Sequence, residues 1–152
     1  MNTKPISRWM DGLTKAADWL QSPFALVTRV YVSWVFLYSG WLKLRDWEQT
    51  VALFEIEYRV PLLSPFWAAL AGTAGEVLFS IPLILGLGGR IPALGLYAVN
   101  FLAVVSYWHE FSQDSGIAGL RQHHLWGFML AMLFVYGSGR WSLDYLLNRN
   151  KN

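Results

Sequence analysis

The sequence contains no cysteine, and this absence excludes several kinds of chemistry. Disulfides, thiol redox relays, thiolate metal sites and iron–sulfur clusters all need cysteine sulfur, so this chain supplies none of them. The chain also has no phosphate-binding glycine loop, no nucleophile elbow, no dinucleotide fingerprint and no HExxH pair of zinc ligands. The sequence therefore leaves open whether the protein is an enzyme.

Charged residues are scarce: they make up 14% of the chain, whereas hydrophobic residues make up 55%. A soluble domain usually carries about a quarter charged residues, so the deficit indicates that lipid is the solvent. The net charge of +2 and the lack of a basic aromatic patch predict no nucleic-acid partner. Nine Trp and seven Tyr are typical of a chain that meets the interfaces of a lipid bilayer.

Four apolar runs approach the roughly 20 residues that a membrane-spanning helix needs. They cover residues 23–42, 65–87, 91–108 and 124–136. The last run is short and must recruit flanking residues, tilt or sit in thinner bilayer. The first is followed by charged residues rather than by a small-residue cleavage site, so we expect a retained helix. The runs predict an all-α membrane protein, a bundle of four transmembrane helices.

The rest of the chain divides around these runs. Residues 1–22 predict an interfacial amphipathic helix, because apolar side chains recur there at helical spacing: Ile6, Trp9, Met10, Leu13, Ala17 and Leu20. Residues 47–58 predict a second interfacial helix at the opposite end of the bundle, and residues 111–119 a polar loop. The predicted membrane domain covers residues 23–148, and residues 149–152 form a polar tail.

The distribution of basic residues predicts the orientation of the bundle. With four spans, seven basic residues share the side of the two tails: Lys4, Arg8, Lys15, Arg90, Arg140, Arg149 and Lys151. The other side has four: Lys43, Arg45, Arg59 and Arg121. Because basic residues are enriched on the cytoplasmic side, we expect both termini in the cytoplasm.

Arg29, Glu76 and Asn100 are polar residues inside the predicted spanning helices. At 1.5 Å per residue, Arg29 lies roughly 9 Å and Glu76 roughly 16 Å from the cytoplasmic ends of their helices. A lone charge at mid-bilayer costs at least about 2.5–3.5 kcal/mol, so we expect Arg29 and Glu76 to face inward and pair. The pair either fixes helix register or belongs to a polar pocket that binds a ligand or passes protons.

A second group of polar residues is predicted at the extracytoplasmic end, and it includes all three histidines: Tyr38, Lys43, Tyr107, His109, Glu110, His123 and His124. Imidazole titrates near neutral pH and binds Zn, Cu and Fe, so His109, Glu110, His123 and His124 are candidate metal ligands. The alternative is that histidine is simply stable at an interface. His123 and His124 are neighbours about 100° apart on a helix, so both cannot face the core.

Four short motifs occur in a distinctive order along the chain. The first, residues 29–44, reads Arg-Val-Tyr-Val-Ser-Trp-Val-Phe-Leu-Tyr-Ser-Gly-Trp-Leu-Lys-Leu. In the second, Glu76 follows Gly72 and Gly75 and precedes Ile-Pro-Leu-Ile-Leu-Gly-Leu at residues 81–87. The third, residues 123–127, reads His-His-Leu-Trp-Gly, and the fourth, residues 137–144, reads Gly-Ser-Gly-Arg-Trp-Ser-Leu-Asp. Over about residues 24–148 this pattern resembles the DoxX family of small bacterial membrane proteins. Ser138 stands where the family's last motif usually has Pro.

The resemblance implies a multi-pass protein of the bacterial inner membrane. Some members are subunits of a thiosulfate:quinone oxidoreductase, others belong to membrane oxidoreductase complexes, and others are encoded beside genes for copper-binding peptides. Residues at family-typical positions are Arg29, Lys43, Glu76 and His123. Ser142 has a structural interpretation besides, as the cap of a short final helix over residues 143–147.

Three functional hypotheses follow. The first is a quinone-linked redox protein or subunit, in which Arg29, Glu76 and His123 with Tyr38 or Tyr107 serve the quinone. The second is an accessory that binds or transports a metal, copper or zinc, or a metallopeptide. The third is a structural partner of another membrane or periplasmic protein, or a homo-oligomer. The chain holds no evident electron carrier, so redox activity needs a partner or an external donor.

Overall fold

The structure, a computed structural model, describes residues 4–60 and 62–149, with side chains from residue 9 onward. The described residues form helices and connecting turns without strands, which confirms the all-α class. The helices are α1 Lys4–Arg45, α2 Trp47–Ile56, α3 Pro65–Leu85, α4 Ile91–Ser106, α5 Trp108–Phe111, α6 Ile117–Tyr136 and α7 Leu143–Arg149. The structure does not describe the predicted tail beyond Arg149 or the side chains of residues 4–8. Three of the basic residues counted for the orientation therefore lie outside the described part: the side chains of Lys4 and Arg8, and Lys151.

α1 joins the two segments that the sequence analysis placed on either side of Pro23. It is one continuous helix of 42 residues with Pro23 inside it. Proline removes its own backbone N–H from the helix ladder and its ring crowds the carbonyl oxygen four residues earlier, a local cost that a helix well formed on both sides can absorb. At 1.5 Å per residue α1 is about 63 Å long, twice the roughly 30 Å of a bilayer core. Every described side chain in residues 9–21 is exposed, and the predicted interfacial position of this half stays a prediction.

The helix boundaries follow the glycine and proline signals closely. α3 begins at Pro65 and ends at Leu85, and Gly86 after it adopts the left-handed conformation with φ of 68° that favours glycine. α4 begins one residue before Pro92 and ends at Ser106, two residues before the predicted end. α6 begins at Ile117 instead of residue 124, so the predicted polar loop is shorter than expected. The fourth apolar run recruits these flanking polar residues into a 20-residue helix.

Within the described residues, α3 is the helix whose length and mean hydropathy both reach the values of a membrane span. α4 is apolar but shorter, at 16 residues. The outer faces of the long helices nevertheless carry many exposed apolar side chains, among them Phe24, Val27, Trp34, Leu78, Phe101, Phe128 and Val135. Apolar surface of this extent is typical of a protein that contacts lipid or another protein.

α3 lies at the centre of the packing and contacts α1, α2 and α4, while α6 packs against α4 and α1. The main core is formed by Val32, Phe36, Leu83, Leu96 and Leu130, which come from all four long helices. A smaller cluster joins α2 to the first turns of α3 through Phe54 and two alanines. α2 therefore covers one end of the bundle, at the opposite end of α3 from α7.

Arg29 ties the C-terminal segment to the other end of the bundle. Arg29 is 2% exposed, and its guanidinium donates hydrogen bonds to the carbonyl oxygens of Ser138, at 2.7 Å, and of Trp141. The backbone N–H of Asp144 donates to the Gly86 carbonyl at 3.1 Å, and its carboxylate accepts from the Gly89 N–H at 2.6 Å. These bonds hold the turn before α7 against the ends of α1 and α3.

The start of α7 confirms the predicted role of Ser142. The Ser142 hydroxyl oxygen accepts a hydrogen bond from the Tyr145 N–H at 3.3 Å and donates to the Gly139 carbonyl at 2.7 Å. Accepting from the third residue of the helix is the geometry of an N-cap. α7 runs two residues beyond the predicted end, to Arg149.

Helix α1 contains two glycines in contrasting surroundings, and we expect their substitution by alanine to differ. A methyl group at Gly40 would lie 2.8 Å from Val77 Cγ2 and 3.2 Å from Glu76 Cβ, whereas one at Gly12 meets nothing within 4 Å. Val77 is β-branched and cannot move aside easily. Gly40→Ala should therefore lower the free energy of unfolding in detergent micelles by about 1–3 kcal/mol. Gly12→Ala, the matched control, should leave it unchanged or raise it by up to about 1 kcal/mol.

Loss of the Arg29 side chain should loosen the C-terminal segment alone. Hydrogen bonds to charged groups contribute about 1.5–3 kcal/mol each, so Arg29→Leu should speed amide hydrogen exchange in residues 138–149 at least about tenfold. Arg140→Leu is the control, because the Arg140 side chain is exposed and only its backbone N–H bonds to Ser22. Equal exchange in both variants would show that Arg29 does not hold this segment.

Candidate functional site

Glu76 and Lys43 form an ion pair between α3 and α1. Lys43 Nζ lies 2.6 Å from Glu76 Oε1 and 2.7 Å from Oε2, so the ammonium spans both carboxylate oxygens. Ser39 joins them: its hydroxyl oxygen accepts from Lys43 Nζ at 2.7 Å and donates to Glu76 Oε1 at 3.3 Å. Glu76 is 8% exposed and Lys43 is partly buried. Two charges and one hydroxyl therefore satisfy each other at the α1–α3 contact.

The predicted pairing of Arg29 with Glu76 is wrong. Gly40 of α1 lies beside Glu76, whereas Arg29 lies beside Gly86 at the far end of α3. Arg29 is about 16 Å along α1 from Gly40, at 1.5 Å per residue. The sequence estimate measured depth from helix ends, but the close approach at Gly40 sets the actual register of the two helices.

Asn100 and His123 form a second polar pair, between α4 and α6. Asn100 Nδ2 donates to the backbone carbonyl of His123 at 3.0 Å, so its Oδ1 faces His123 Nδ1 at 2.8 Å. An amide oxygen only accepts hydrogen bonds, so Nδ1 carries the proton and, in the neutral ring, Nε2 is left as an acceptor. Gly127 makes room for the amide, because a methyl group there would lie 3.1 Å from Asn100 Nδ2.

Lys43, Glu76 and His123 line one cavity of about 320 Å³ between the four long helices. Its lining residues are Val35, Phe36, Ser39, Lys43, Tyr58, Glu76, Ala103, Tyr107, Phe111, His123 and Trp126. The His123 ring packs edge-on to Trp126 at 4.9 Å between ring centres, and lies 5.2 Å from Phe111. The cavity therefore combines charged and hydrogen-bonding groups on some walls with aromatic rings on others.

A smaller cavity of about 130 Å³ adjoins the first one and is mainly apolar. Four residues line both cavities: Lys43, Tyr58, Glu76 and Ala103. The remaining lining includes Phe54, Leu63, Ala71, Val99 and Leu102. The ion pair thus lies at the junction of a polar chamber and an apolar slot.

Two tyrosines stand at the α2 end of these cavities. Tyr107 donates its hydroxyl to Glu57 Oε2 at 3.1 Å, and its ring lies 5.1 Å from that of Tyr58. Burial raises the pKa of Tyr58 to about 12, with the charge of Glu76 as a second cause. Burial and the bond to Glu57 raise the pKa of Tyr107. Both phenols therefore keep their protons at neutral pH, and that of Tyr58 can donate a hydrogen bond into the cavity.

The structure brings together most of the predicted polar residues. Lys43, Glu76, Tyr107 and His123 line the larger cavity, and Asn100 holds His123 from behind. Arg29 lies at the α7 end, and Tyr38 is 54% exposed on the outside of α1. The sequence analysis did not name Ser39, Tyr58 or Trp126 as site residues. The helical spacing that puts Tyr58 on the same face as Phe54 was the available signal for it.

The four candidate metal ligands do not come together. His109 Nε2 is 3.9 Å from Glu110 Oε1, His123 bonds to Asn100, and His124 is exposed. This confirms that only one of the adjacent histidines faces inward. In residues 4–60 and 62–149, no three His, Cys, Asp or Glu side chains are grouped so that they could hold a metal ion. A copper or zinc site stays a prediction without support from this geometry.

Comparison with known proteins places the chain in a family. No curated protein and no solved structure matches the sequence. The model of the DoxX family matches residues 24–109, more than half of the chain. The match includes Arg29, Lys43 and Glu76, whereas His123 and the motif at 137–144 lie beyond it, so the resemblance there stays a prediction. The chain is thus a membrane protein that belongs to the DoxX family.

Proposed function

We propose that the protein binds a quinone in the cavity at Lys43 and Glu76 and serves a membrane oxidoreductase complex. The single observation that carries this proposal is the position of the ion pair between a polar chamber and an apolar slot. A quinone needs both environments, because its two carbonyl oxygens accept hydrogen bonds while its tail is apolar. A cavity of about 320 Å³ is in the range of small-ligand sites.

The lining residues have chemistry that suits each part of such a ligand. Tyr58 can donate a hydrogen bond to one carbonyl oxygen, and Lys43 can reach the other by redirecting one of its three N–H groups from Glu76 or Ser39. Glu76 and His123 are groups that exchange protons, and quinone reduction takes up one proton for each electron. Trp126 and Phe36 offer flat apolar surfaces to the ring, with their own centres 5.9 Å apart. The apolar slot beyond Glu76 accepts the start of the tail.

The proposal includes the topology predicted from the sequence. The second half of α1 and helices α3, α4 and α6 cross the bacterial inner membrane, with both termini in the cytoplasm. The exposed apolar side chains on the outer faces of these helices support this arrangement, as does the excess of basic residues on one side. Electrons come from a membrane or periplasmic partner, since the chain lacks the cysteines that hold iron–sulfur clusters.

Glu76→Gln should remove quinone from the purified protein. Glutamine keeps the size of the side chain but loses the charge that orients Lys43, so we expect quinone occupancy in native mass spectrometry to fall at least about tenfold, or about 1.4 kcal/mol. The control is Glu55→Gln, which changes an exposed carboxylate on α2. A folded Glu76→Gln protein with normal occupancy would contradict the quinone site. If Glu76→Gln fails to fold and the wild type carries no bound small molecule, the ion pair has a purely structural role.

The adjacent histidines provide a second matched test. His123→Ala removes a cavity wall and the partner of Asn100, so quinone affinity should fall at least about tenfold. His124→Ala changes an exposed ring one residue away and should leave affinity unchanged. The quinone affinity of each variant is measured by adding quinone and following the tryptophan fluorescence of the protein. Equal affinities would place the ligand elsewhere.

A further inference from the structure

The face of α1 that points away from the bundle carries a stripe of large apolar side chains. Arg29, Phe36 and Gly40 are buried and mark the face of α1 that packs on the other helices. At about 100° per residue, the centre of a second row lies about 160° around the helix from this face. This row, here called the outer stripe, is 50–70% exposed over the length of the bundle: Phe24, Val27, Tyr31, Trp34, Tyr38 and Trp41.

The outer stripe continues in the same register past the end of the bundle. Residues 9–21 are all exposed, and Ser22 is the first buried residue, so this extension of α1 reaches about 20 Å beyond the buried part. Asp11, Lys15 and Asp18 occupy one side of the extension. The outer stripe runs along the other side: Met10, Leu13, Ala17 and Leu20. Lipid around the bundle explains an apolar stripe there, but it gives no reason for the same register on the extension.

The spacing of the outer stripe is that of a helix that winds around another helix. Its ten members recur at alternating steps of three and four residues from Met10 to Trp41, a repeat of about 3.5 residues. Such a repeat stays on one side only if two helices supercoil, and membrane helices also pair in this geometry. The stripe spans 32 residues, whereas α3, the next longest described helix, has 21 and packs on the opposite face of α1. The partner that fits is therefore another helix as long as α1.

The size of the outer stripe and the charges around it suit a second copy of the same helix. Its five aromatic members alone offer roughly 600 Å² of exposed surface. The other members bring it to the roughly 800 Å² per partner that a stable interface buries. The positions that flank the stripe are uncharged from Trp9 to Leu44, such as Gln21 on one side and Ala16 on the other. Two copies therefore meet no like charges along the contact.

The membrane determines the direction in which two such helices meet. Copies of one chain insert with the same orientation, so their α1 helices are parallel and related by a twofold axis along the membrane normal. Because the outer stripe faces away from the bundle, the two bundles then lie on opposite sides of the paired helices. We propose that the protein forms a parallel homodimer in which the outer stripes of two α1 helices pack together, including the extension. The dimer does not depend on the quinone site, because no member of the stripe lines either cavity.

The lack of native cysteine lets single cysteines test this contact in the full-length protein. In parallel paired helices, equivalent residues of the stripe face each other at about the Cα separation that a disulfide needs, roughly 4.4–6.8 Å. With a mild copper oxidant in native membrane vesicles, Ala17→Cys and Leu20→Cys should form covalent dimers at least about tenfold faster than Lys15→Cys. Lys15 is the control because it lies on the other side of the extension. Equal rates at the three positions, or no covalent dimer, would overturn the proposal.

Two neighbouring residues give a matched test of the dimer in lipid. Leu20 lies in the outer stripe, whereas Trp19 is 69% exposed and lies outside it. Leu20→Glu places two like charges opposite each other, so the dissociation constant of the purified protein in liposomes should rise at least about tenfold. Trp19→Glu removes a larger apolar side chain and adds the same charge, yet it should leave that constant unchanged. Single-molecule photobleaching of labelled protein, at decreasing ratios of protein to lipid, counts the copies in each particle.

Other occupants of the outer stripe give different results in the photobleaching experiment. If the extension lies on the membrane surface, or if a different protein covers the stripe, the purified wild type should be a single copy at every dilution. Either result would overturn the proposal. A wild-type dimer that Leu20→Glu leaves intact would place the interface elsewhere and would overturn it as well. A dimer that Leu20→Glu dissociates and Trp19→Glu does not would support it.

Discussion

The ion pair of Lys43 and Glu76 is the constraint on which the rest of the site depends. A buried charge without a partner is costly, so α1 and α3 pack in the register that lets these two side chains meet. Gly40 permits the required closeness beside Glu76. The same register carries Arg29 to the end of α3, where it holds the turn before α7. One contact therefore fixes both the cavity and the C-terminal attachment.

The position of this pair supports a role beyond register. A pair that only aligns helices needs hydrogen bonds to its remaining donors and acceptors, but it needs no cavity beside it. Lys43 and Glu76 instead line two cavities of different character, and Ser39 adds a hydrogen bond from α1. The neighbouring His123 is held by Asn100 so that its second nitrogen is free. Groups with unused hydrogen-bonding capacity at a cavity wall are suited to a ligand that accepts and donates protons.

The sequence predicted the helices better than it predicted their pairing. Pro65, Gly86 and Pro92 are local signals, so the ends of α3 and the start of α4 were predictable within about two residues, the usual uncertainty of helix ends. The choice between Arg29 and Lys43 as the partner of Glu76 was not local, because it depends on how closely two distant helices approach. Asn100 and His123 were each noted as polar residues, yet their contact needs the packing of α4 on α6.

The candidate site is formed partly by residues that match the family model and partly by residues outside that match. Residues 24–109 match the family and supply the ion pair, Ser39 and Asn100. The remaining cavity wall comes from Phe111 and from His123 and Trp126 of α6, which lie outside the match. Without that wall the carboxylate of Glu76 would face an open groove between α1 and α4. In the proposed quinone site the ion pair supplies the charge that the ligand meets and α6 supplies part of the shape around it, so we expect differences in ligand among members of the family to originate in α6.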